Sequence, residues 1–196
     1  PAPIIAFNPN FSCDAWGPVM PDLWGNRYCW TFIQQKSGGI VYVPTKSLAN
    51  WETVCGPVIQ QFRDWMAMSN VTKIEVQLTE ACVRVRGDSA QTFTSKAKHE
   101  QLILHGIMID VAAPYTPSSN PYQERNHTSM FNMMWAMLYH SYAPLAMWSL
   151  AQRYACMLFE MLPTAALKNE KDKPQSPLEH TTGFTPNWNN LHCFFS

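Results

Sequence analysis

Residues 28–43, YCWTFIQQKSGGIVYV, decide the interpretation of the fold. Two runs of mostly aromatic and β-branched residues, YCWTFI and IVYV, flank a polar segment that contains Gly38 and Gly39. Such runs are typical of strands, and a glycine-containing polar segment between them is typical of a tight connection. The stretch therefore predicts two neighbouring antiparallel strands.

More strands are expected on both sides of this pair. Residues 11–16, FSCDAW, predict a strand that makes the first three strands an antiparallel meander. Apolar residues then recur at helical spacing from 47 to 68, where Gly56-Pro57 is expected to interrupt or kink a helix. Further along, KIEVQL (73–78) and CVRVRGD (82–88) alternate as strands do. These elements alternate strands with a helix.

The second half of the chain predicts mainly helices. A helix over 95–105 is expected to stop at Gly106, and the apolar strand IMIDV follows it at 107–111. After a proline- and serine-rich loop, Asn120 suits an N-cap and Pro121 suits the first helical position. That helix carries an apolar stripe, and a further helix is expected at 144–162. The stripe comprises Phe131, Met134, Trp135 and Leu138. The order of elements predicts an α/β fold with a mixed sheet.

Composition limits the class of protein. The 196 residues are 46% hydrophobic and 14% charged, which favours one globular domain with a tail. We expect neither a membrane span nor a secretory leader, because no apolar run reaches about 18 residues and no basic and apolar segment follows Pro1. Six widely spaced cysteines without a C-x-x-C pair indicate buried, reduced thiols. A formal net charge of zero argues against a broad electrostatic grip on nucleic acid.

Three carboxylates stand where strands end or helices begin. Asp14 lies in the first predicted strand, Asp88 directly follows another, and Glu124 lies in the first turn of the helix that starts near Pro121. Carboxylates that converge from different elements are the oxygen ligands that Mg²⁺ prefers in phosphate chemistry. Between Asp88 and Glu124 lie 35 residues. Taken singly, each carboxylate is more typical of a cap or of a solvated surface group than of a catalytic one.

The chain resembles the catalytic core of retroelement integrases, in particular those of copia-type retrotransposons. The resemblance rests on CDAWGP, VRGDSAQTFTS, HGIMIDVAAPYTPSSNPYQERN and MWSLAQRYACMLFEMLPT, which occur in the family's order, and on the tail SPLEHTTGFTPNWNNLHCFFS. It implies a ribonuclease-H-like three-layer α/β fold with a mixed five-stranded sheet flanked by helices. We expect the integrase core to occupy 1–163, and a linker and partly irregular C-terminal extension to occupy 164–196.

The resemblance also implies a site and a chemistry. Asp14 matches the family's D-x-x-G-P aspartate, Asp88 its S-D-x-G-x-E-F aspartate, and Glu124 its N-G-x-x-E-R glutamate. The three are expected to bind two Mg²⁺ or Mn²⁺ ions and to catalyse DNA 3′-end processing and strand transfer. The expected DNA-contacting residues are Lys96, Lys98, Ser119, Asn120, Arg125, Asn126 and His127. DNA, further copies of the chain and other polyprotein segments are the implied partners, in the nucleus or in a virus-like particle.

Two other functions remain open at this stage. SAQT after Asp88 and Pro121 after Asn120 depart from the family pattern, which favours a decayed, non-catalytic integrase-like module that contacts DNA or supports assembly. A ribonuclease-H-like nuclease or a transposase would share the same carboxylate chemistry. His99, His105 and His140 have no metal-ligand spacing and are expected to be structural.

Overall fold

The described part of the chain covers most of the predicted elements. The computed structural model describes residues 10–35, 37–49, 51–68, 83–87, 96–111, 121–169 and 171–191. Within these ranges, the side chains of 65–68, 96–98, 111, 121–124 and 190 are not described. The predicted strand at 73–78 lies outside the described residues.

A five-stranded mixed sheet is the centre of the fold. Its strands are β1 (Asn10–Trp16), β2 (Tyr28–Gln34), β3 (Ile40–Thr45), β4 (Val83–Gly87) and β5 (Ile107–Val111). They are arranged in the order β3-β2-β1-β4-β5, with β1, β2 and β3 antiparallel and with β4 parallel to both β1 and β5. The sheet, together with helices on both faces, confirms the predicted ribonuclease-H-like fold class.

Five α-helices accompany the sheet in the described residues: α1 (Trp51–Met68), α2 (Lys96–Leu104), α3 (Pro121–His140), α4 (Trp148–Met161) and α5 (Pro177–Thr182). Short 3₁₀ turns occupy Leu145–Met147 and Trp188–Asn190. Among the described residues, none of these helices combines the length and the hydropathy needed to cross a membrane. The helix predicted to begin at Pro121 does begin there.

The helix α1 differs from its prediction at two points. It begins at Trp51 instead of residue 47, because the Ser47 hydroxyl accepts a hydrogen bond from the Ala49 N–H (3.2 Å) and forms a local turn. It also continues through Pro57, although proline removes one helical hydrogen bond. Val58 and Phe62, which follow the proline, are buried in the core. Their burial supports the helix despite the local cost.

One face of the sheet packs against α1 and α2. Alternate residues of β1 and β2 point to this side, and they are Phe11, Cys13, Trp30 and Phe32. Residues of α1 and α2 complete the cluster, among them Trp51, Val58, Ile59, Phe62 and Leu102. Two ring pairs cross the layer, Phe11 with Phe62 (centroids 4.8 Å apart) and Trp30 with Trp51 (6.3 Å). This layer is the larger part of the apolar core.

The opposite face packs against α3 and α4. Cys29 lies in one cluster with Met134, Leu138, Trp148 and Ala151. A second cluster joins Ile33 and Ile40 to Met130 and Cys156. The predicted apolar stripe of α3 is thus buried at Met134 and Leu138, whereas Trp135 is 47% exposed. Trp135 faces outward because it follows Met134 by one residue, about 100° around the helix.

The C-terminal residues contact the core. β6 (Thr164–Lys168) pairs with β7 (Pro174–Gln175) in a small antiparallel sheet. The helix α5 then contacts both α1 and α4. Its N-cap is Ser176, whose hydroxyl accepts a hydrogen bond from the Glu179 N–H (3.0 Å). The division of the chain at residue 163 stays a prediction.

Glycine is required at the turn after β1. Gly17 has a φ of 118°, and a Cβ at this position would lie 2.5 Å from the Arg27 carbonyl oxygen. We expect Gly17→Ala to lower the free energy of unfolding by about 1–3 kcal/mol. The matched control is Gly56→Ala within α1, where a Cβ meets no atom within 4 Å. That change should instead raise the free energy by about 0.5–1 kcal/mol, as urea unfolding would measure.

A buried carboxyl group predicts a pH dependence of stability. Glu160 on α4 accepts a hydrogen bond from the Ile40 N–H (3.0 Å), and burial raises its pKa from 4.5 to about 7. The pKa of Glu160 is higher in the folded than in the unfolded protein. Its contribution to the free energy of unfolding is therefore present below about pH 4.5 and is lost as the pH rises through 7. The total loss is about 3 kcal/mol.

Glu160→Gln removes this titration but keeps an oxygen that accepts the Ile40 N–H. Relative to the variant, the wild type should therefore lose stability between about pH 4.5 and pH 8 in urea unfolding. A difference between the two proteins that stays constant over this range would contradict the assignment.

Candidate active site

Asp14 lies in the middle of the sheet on the side that faces α3. Side chains alternate along β1, so Asp14 points away from the face buried under α1, to which Cys13 belongs. Its side chain is 33% exposed. One carboxylate oxygen, Oδ1, accepts a hydrogen bond from the Ala15 N–H (2.8 Å). The carboxylate is therefore held in place while it stays accessible to solvent.

His127 of α3 lies against this carboxylate. Its Nδ1 is 3.5 Å from the Asp14 Oδ2, and its side chain is 11% exposed. Burial lowers the pKa of His127 to about 4, so the imidazole is neutral near pH 7. At 3.5 Å the contact is longer than a usual hydrogen bond, and it places the second turn of α3 beside Asp14.

Aromatic packing sets the direction in which α3 runs. Trp16 contacts Phe131 edge-on (centroids 4.6 Å apart, 71°) and also packs against Trp148 (4.9 Å). Trp16 follows Asp14 by two positions, and Phe131 follows His127 by four. The strand and the helix therefore run side by side from the Asp14–His127 contact, and the N-terminus of α3 lies at the Asp14 end.

The third predicted ligand belongs to this N-terminus. Glu124 lies in the first turn of α3, three residues before His127, and residues at this spacing share one side of a helix. The partial positive charge of a helix N-terminus favours a carboxylate there. The Glu124 side chain is outside the described part of the structure. Its backbone position is compatible with the predicted role.

The structure describes the other predicted site residues to different extents. Asp88, Ser119 and Asn120 lie outside the described residues, and Lys96 and Lys98 are described only as backbone of α2. Arg125 is exposed on the outer side of α3, as a DNA contact requires. Asn126 is 8% exposed and therefore belongs to the buried side of the helix.

The donor chemistry fits a divalent cation. Among the described side chains, no three His, Cys, Asp or Glu groups lie close enough together to hold a metal ion. That finding does not test the predicted triad, because the side chains of Asp88 and Glu124 are outside the described part of the structure. The described member, Asp14, offers a partly exposed carboxylate, which is the hard oxygen donor that Mg²⁺ and Mn²⁺ bind.

The contact between His127 and Asp14 was not predicted. The predicted contact of His127 with DNA stays a prediction. The available signal was the spacing of three residues between Glu124 and His127, which puts both on one side of a helix. Arg86 was not singled out, although its strand alternates strictly between buried and exposed residues just before Asp88.

Comparison with known proteins links the chain to retroelements. No protein-family model matches the sequence. Over 160 residues the chain is 28% identical to the retrovirus-related Pol polyprotein from transposon TNT 1-94 of Nicotiana tabacum. The match covers 80% of this chain and 11% of the polyprotein, so the chain spans about a tenth of the length of that relative.

Two solved structures share the fold. The cryo-EM structure of the simian T-cell lymphotropic virus intasome in complex with PP2A regulatory subunit B56 gamma contains a chain with a TM-score of 0.59 and 12% identity, and the match covers 91% of this chain and 55% of that one. The catalytic core domain of BIV integrase, in crystal form I, gives a TM-score of 0.54 at 15% identity. That match covers 88% of this chain and 92% of the BIV chain. At these identities the likeness concerns the fold.

Proposed function

We propose, from its similarity to a retrotransposon polyprotein and its fold, that the chain is the polynucleotidyl transferase core of a copia-type integrase. In this role it processes DNA 3′ ends and joins them to target DNA. The catalytic residues we assign are Asp14, Asp88 and Glu124. The endonuclease step and the joining step use the same site.

The pairing of β1 with β4 carries this proposal. Asn10 lies opposite Arg84 and Ser12 opposite Arg86, so paired residues differ by 74 in number. Asp14 and Asp88 also differ by 74. If the register continues for two residues beyond its last described pair, the two aspartates become neighbours at the carboxyl ends of parallel strands. Neighbouring strands lie about 4.8 Å apart, which suits carboxylates that share a cation.

Glu124 completes the proposed set from the helix side. The Asp14–His127 contact places His127, three residues after Glu124, beside the Asp14 carboxylate. When bound, two Mg²⁺ or Mn²⁺ ions would activate the attacking oxygen and stabilise the leaving oxygen of an in-line phosphodiester displacement. The carboxylates of Asp14, Asp88 and Glu124 would hold these ions. His127 would limit the movement of the Asp14 carboxylate by packing against it.

The proposed partners follow from the same function. Arg125 is exposed at the start of α3 and would contact DNA, together with Lys96, Lys98, Ser119 and Asn120. Asn126 and His127 are largely buried and would act by shaping that surface. We expect DNA ends and target DNA as substrates, self-association, and other polyprotein segments as neighbours. The corresponding location is the nucleus or a virus-like particle.

A strand-transfer assay tests the proposal. The protein is incubated with labelled duplex DNA that represents an element end, with Mg²⁺, with Mn²⁺ or with a chelator. Joined products are expected with either metal and none with the chelator. A folded protein that joins no DNA in either metal would favour the decayed, non-catalytic module. Preferential cleavage of an RNA–DNA hybrid would favour a ribonuclease-H-like nuclease.

A further inference from the structure

An arginine-containing surface lies on the sheet beside Asp14. Along β4, Val83 and Val85 are buried against the α1 layer, whereas Arg84 and Arg86 are exposed on the opposite side. On the neighbouring strand β5, Met108 (46%) and the Asp110 side chain (52%) are exposed as well. We call the surface formed by Arg84, Arg86, Met108 and Asp110 the arginine face.

The arginine face and Asp14 belong to the same side of the sheet. Arg86 lies opposite Ser12 in the parallel ladder, and Asp14 is two residues further along β1. With strands about 4.8 Å apart and a rise of about 3.3 Å per residue, the Cα atoms of Arg86 and Asp14 are roughly 8 Å apart. The helix α3 passes Asp14 at His127, six residues after its first residue, Pro121. The two arginines therefore lie on the sheet next to the candidate site.

The charges of this surface are weakly paired. The Arg86 Nε is 3.7 Å from the Asp110 Oδ2, with the two side chains 44% and 52% exposed. An exposed pair at this distance contributes little and is readily exchanged for another anion. Arg84 has no ion pair with any described residue. In a chain of zero net charge, Arg84 and Arg86 thus place two exposed guanidinium groups on one strand.

We propose that Arg84 and Arg86 bind backbone phosphates of the DNA strand that enters the Asp14 site. This inference rests on the proposed function and extends it to residues of β4. Guanidinium groups bind phosphate oxygens through two parallel hydrogen bonds. Alternate residues of a strand are about 6.6 Å apart, so the two arginines contact different phosphates of an extended strand. The proximity to Asp14 favours DNA over an acidic peptide as the occupant.

Salt-dependent DNA binding tests the inference. The affinity of the protein for a fluorescent DNA duplex with a free 3′ end is measured by anisotropy over a series of salt concentrations. For Arg84→Gln/Arg86→Gln, the slope of log affinity against log salt should fall by about 1.8, since each lost phosphate contact removes about 0.9. Arg84→Lys/Arg86→Lys keeps both cations and should largely keep the slope.

Two control variants make the result specific. Arg153→Gln removes an exposed arginine from α4, which packs against the β3 edge of the sheet, and should leave the slope unchanged. Asp110→Asn removes the carboxylate that competes for Arg86 and should raise the affinity for DNA severalfold. A purely structural role for the Arg86–Asp110 pair predicts no such gain. Thermal unfolding establishes that each variant is folded.

The outcomes separate this inference from the proposed function. An unchanged slope in Arg84→Gln/Arg86→Gln, or an equal fall in Arg153→Gln, would overturn it even if strand transfer proceeds. A fall confined to the β4 variant supports it, even in a protein that joins no DNA. If the wild type binds no DNA, or if the β4 change weakens binding of an acidic peptide but not of DNA, the inference fails.

Discussion

Asp14→Asn is expected to reduce strand transfer on the order of a thousandfold, because metal-bound carboxylates supply several kcal/mol of transition-state stabilisation. The amide keeps the size of the side chain and can still accept the Ala15 N–H. It loses the charge that holds a cation. The rate of DNA joining at saturating Mg²⁺ is the measurement.

Controls separate loss of chemistry from loss of folding. Asp14 is partly exposed, so the free energy of unfolding without metal should change by no more than about 0.5–1 kcal/mol. Asp64→Asn, at an exposed position of α1, should leave the rate of joining unchanged. A variant at Asp14 that joins DNA at the wild-type rate would remove this residue from the proposed site.

Phe62→Ala is expected to cause the largest loss of stability, about 3–5 kcal/mol. Phe62 is 1% exposed, and its ring lies 4.8 Å from that of Phe11 across the layer between α1 and the sheet. Truncation leaves a cavity that this close-packed layer closes incompletely. Domains are stable by about 5–15 kcal/mol, so the change removes much of the total.

Urea unfolding of the whole chain measures this effect. Phe184→Ala is the matched control, since that side chain is 54% exposed and its loss should cost less than about 0.5 kcal/mol. Phe62→Leu should fall between the two, because it leaves a smaller cavity. A loss below about 1 kcal/mol for Phe62→Ala would mean that α1 is not packed on the sheet as described.

The parts of the fold that depend on local chemistry were predictable. Runs of aromatic and β-branched residues in 28–43 suit the pleated strand, and they located β2 and β3. Pro121 begins α3 because its fixed φ suits a first helical position where no N–H is needed. These signals act over a few residues, so no knowledge of distant neighbours was required.

The parts of the fold that depend on distant neighbours were not predictable from the sequence. Local propensity opposes a helix through Pro57, yet burial of α1 against the sheet maintains it. Hydrophobicity alone could not tell Trp135, which is exposed, from the buried Met134 beside it. The contact of His127 with Asp14 joins residues far apart in the chain, and only the assembled layers bring them together. For the site, sequence supplied the residue types, and the pairing of β1 with β4 supplies the argument for their arrangement.

The most direct test of the proposed carboxylate site is an anomalous diffraction experiment at the manganese edge on crystals of this protein grown with Mn²⁺. We predict a peak beside the Asp14 carboxylate, shared with the side chains of Asp88 and Glu124 and lost in Asp14→Asn. A map without a peak at Asp14 under saturating Mn²⁺, or with the Glu124 side chain directed away from it, would contradict the account.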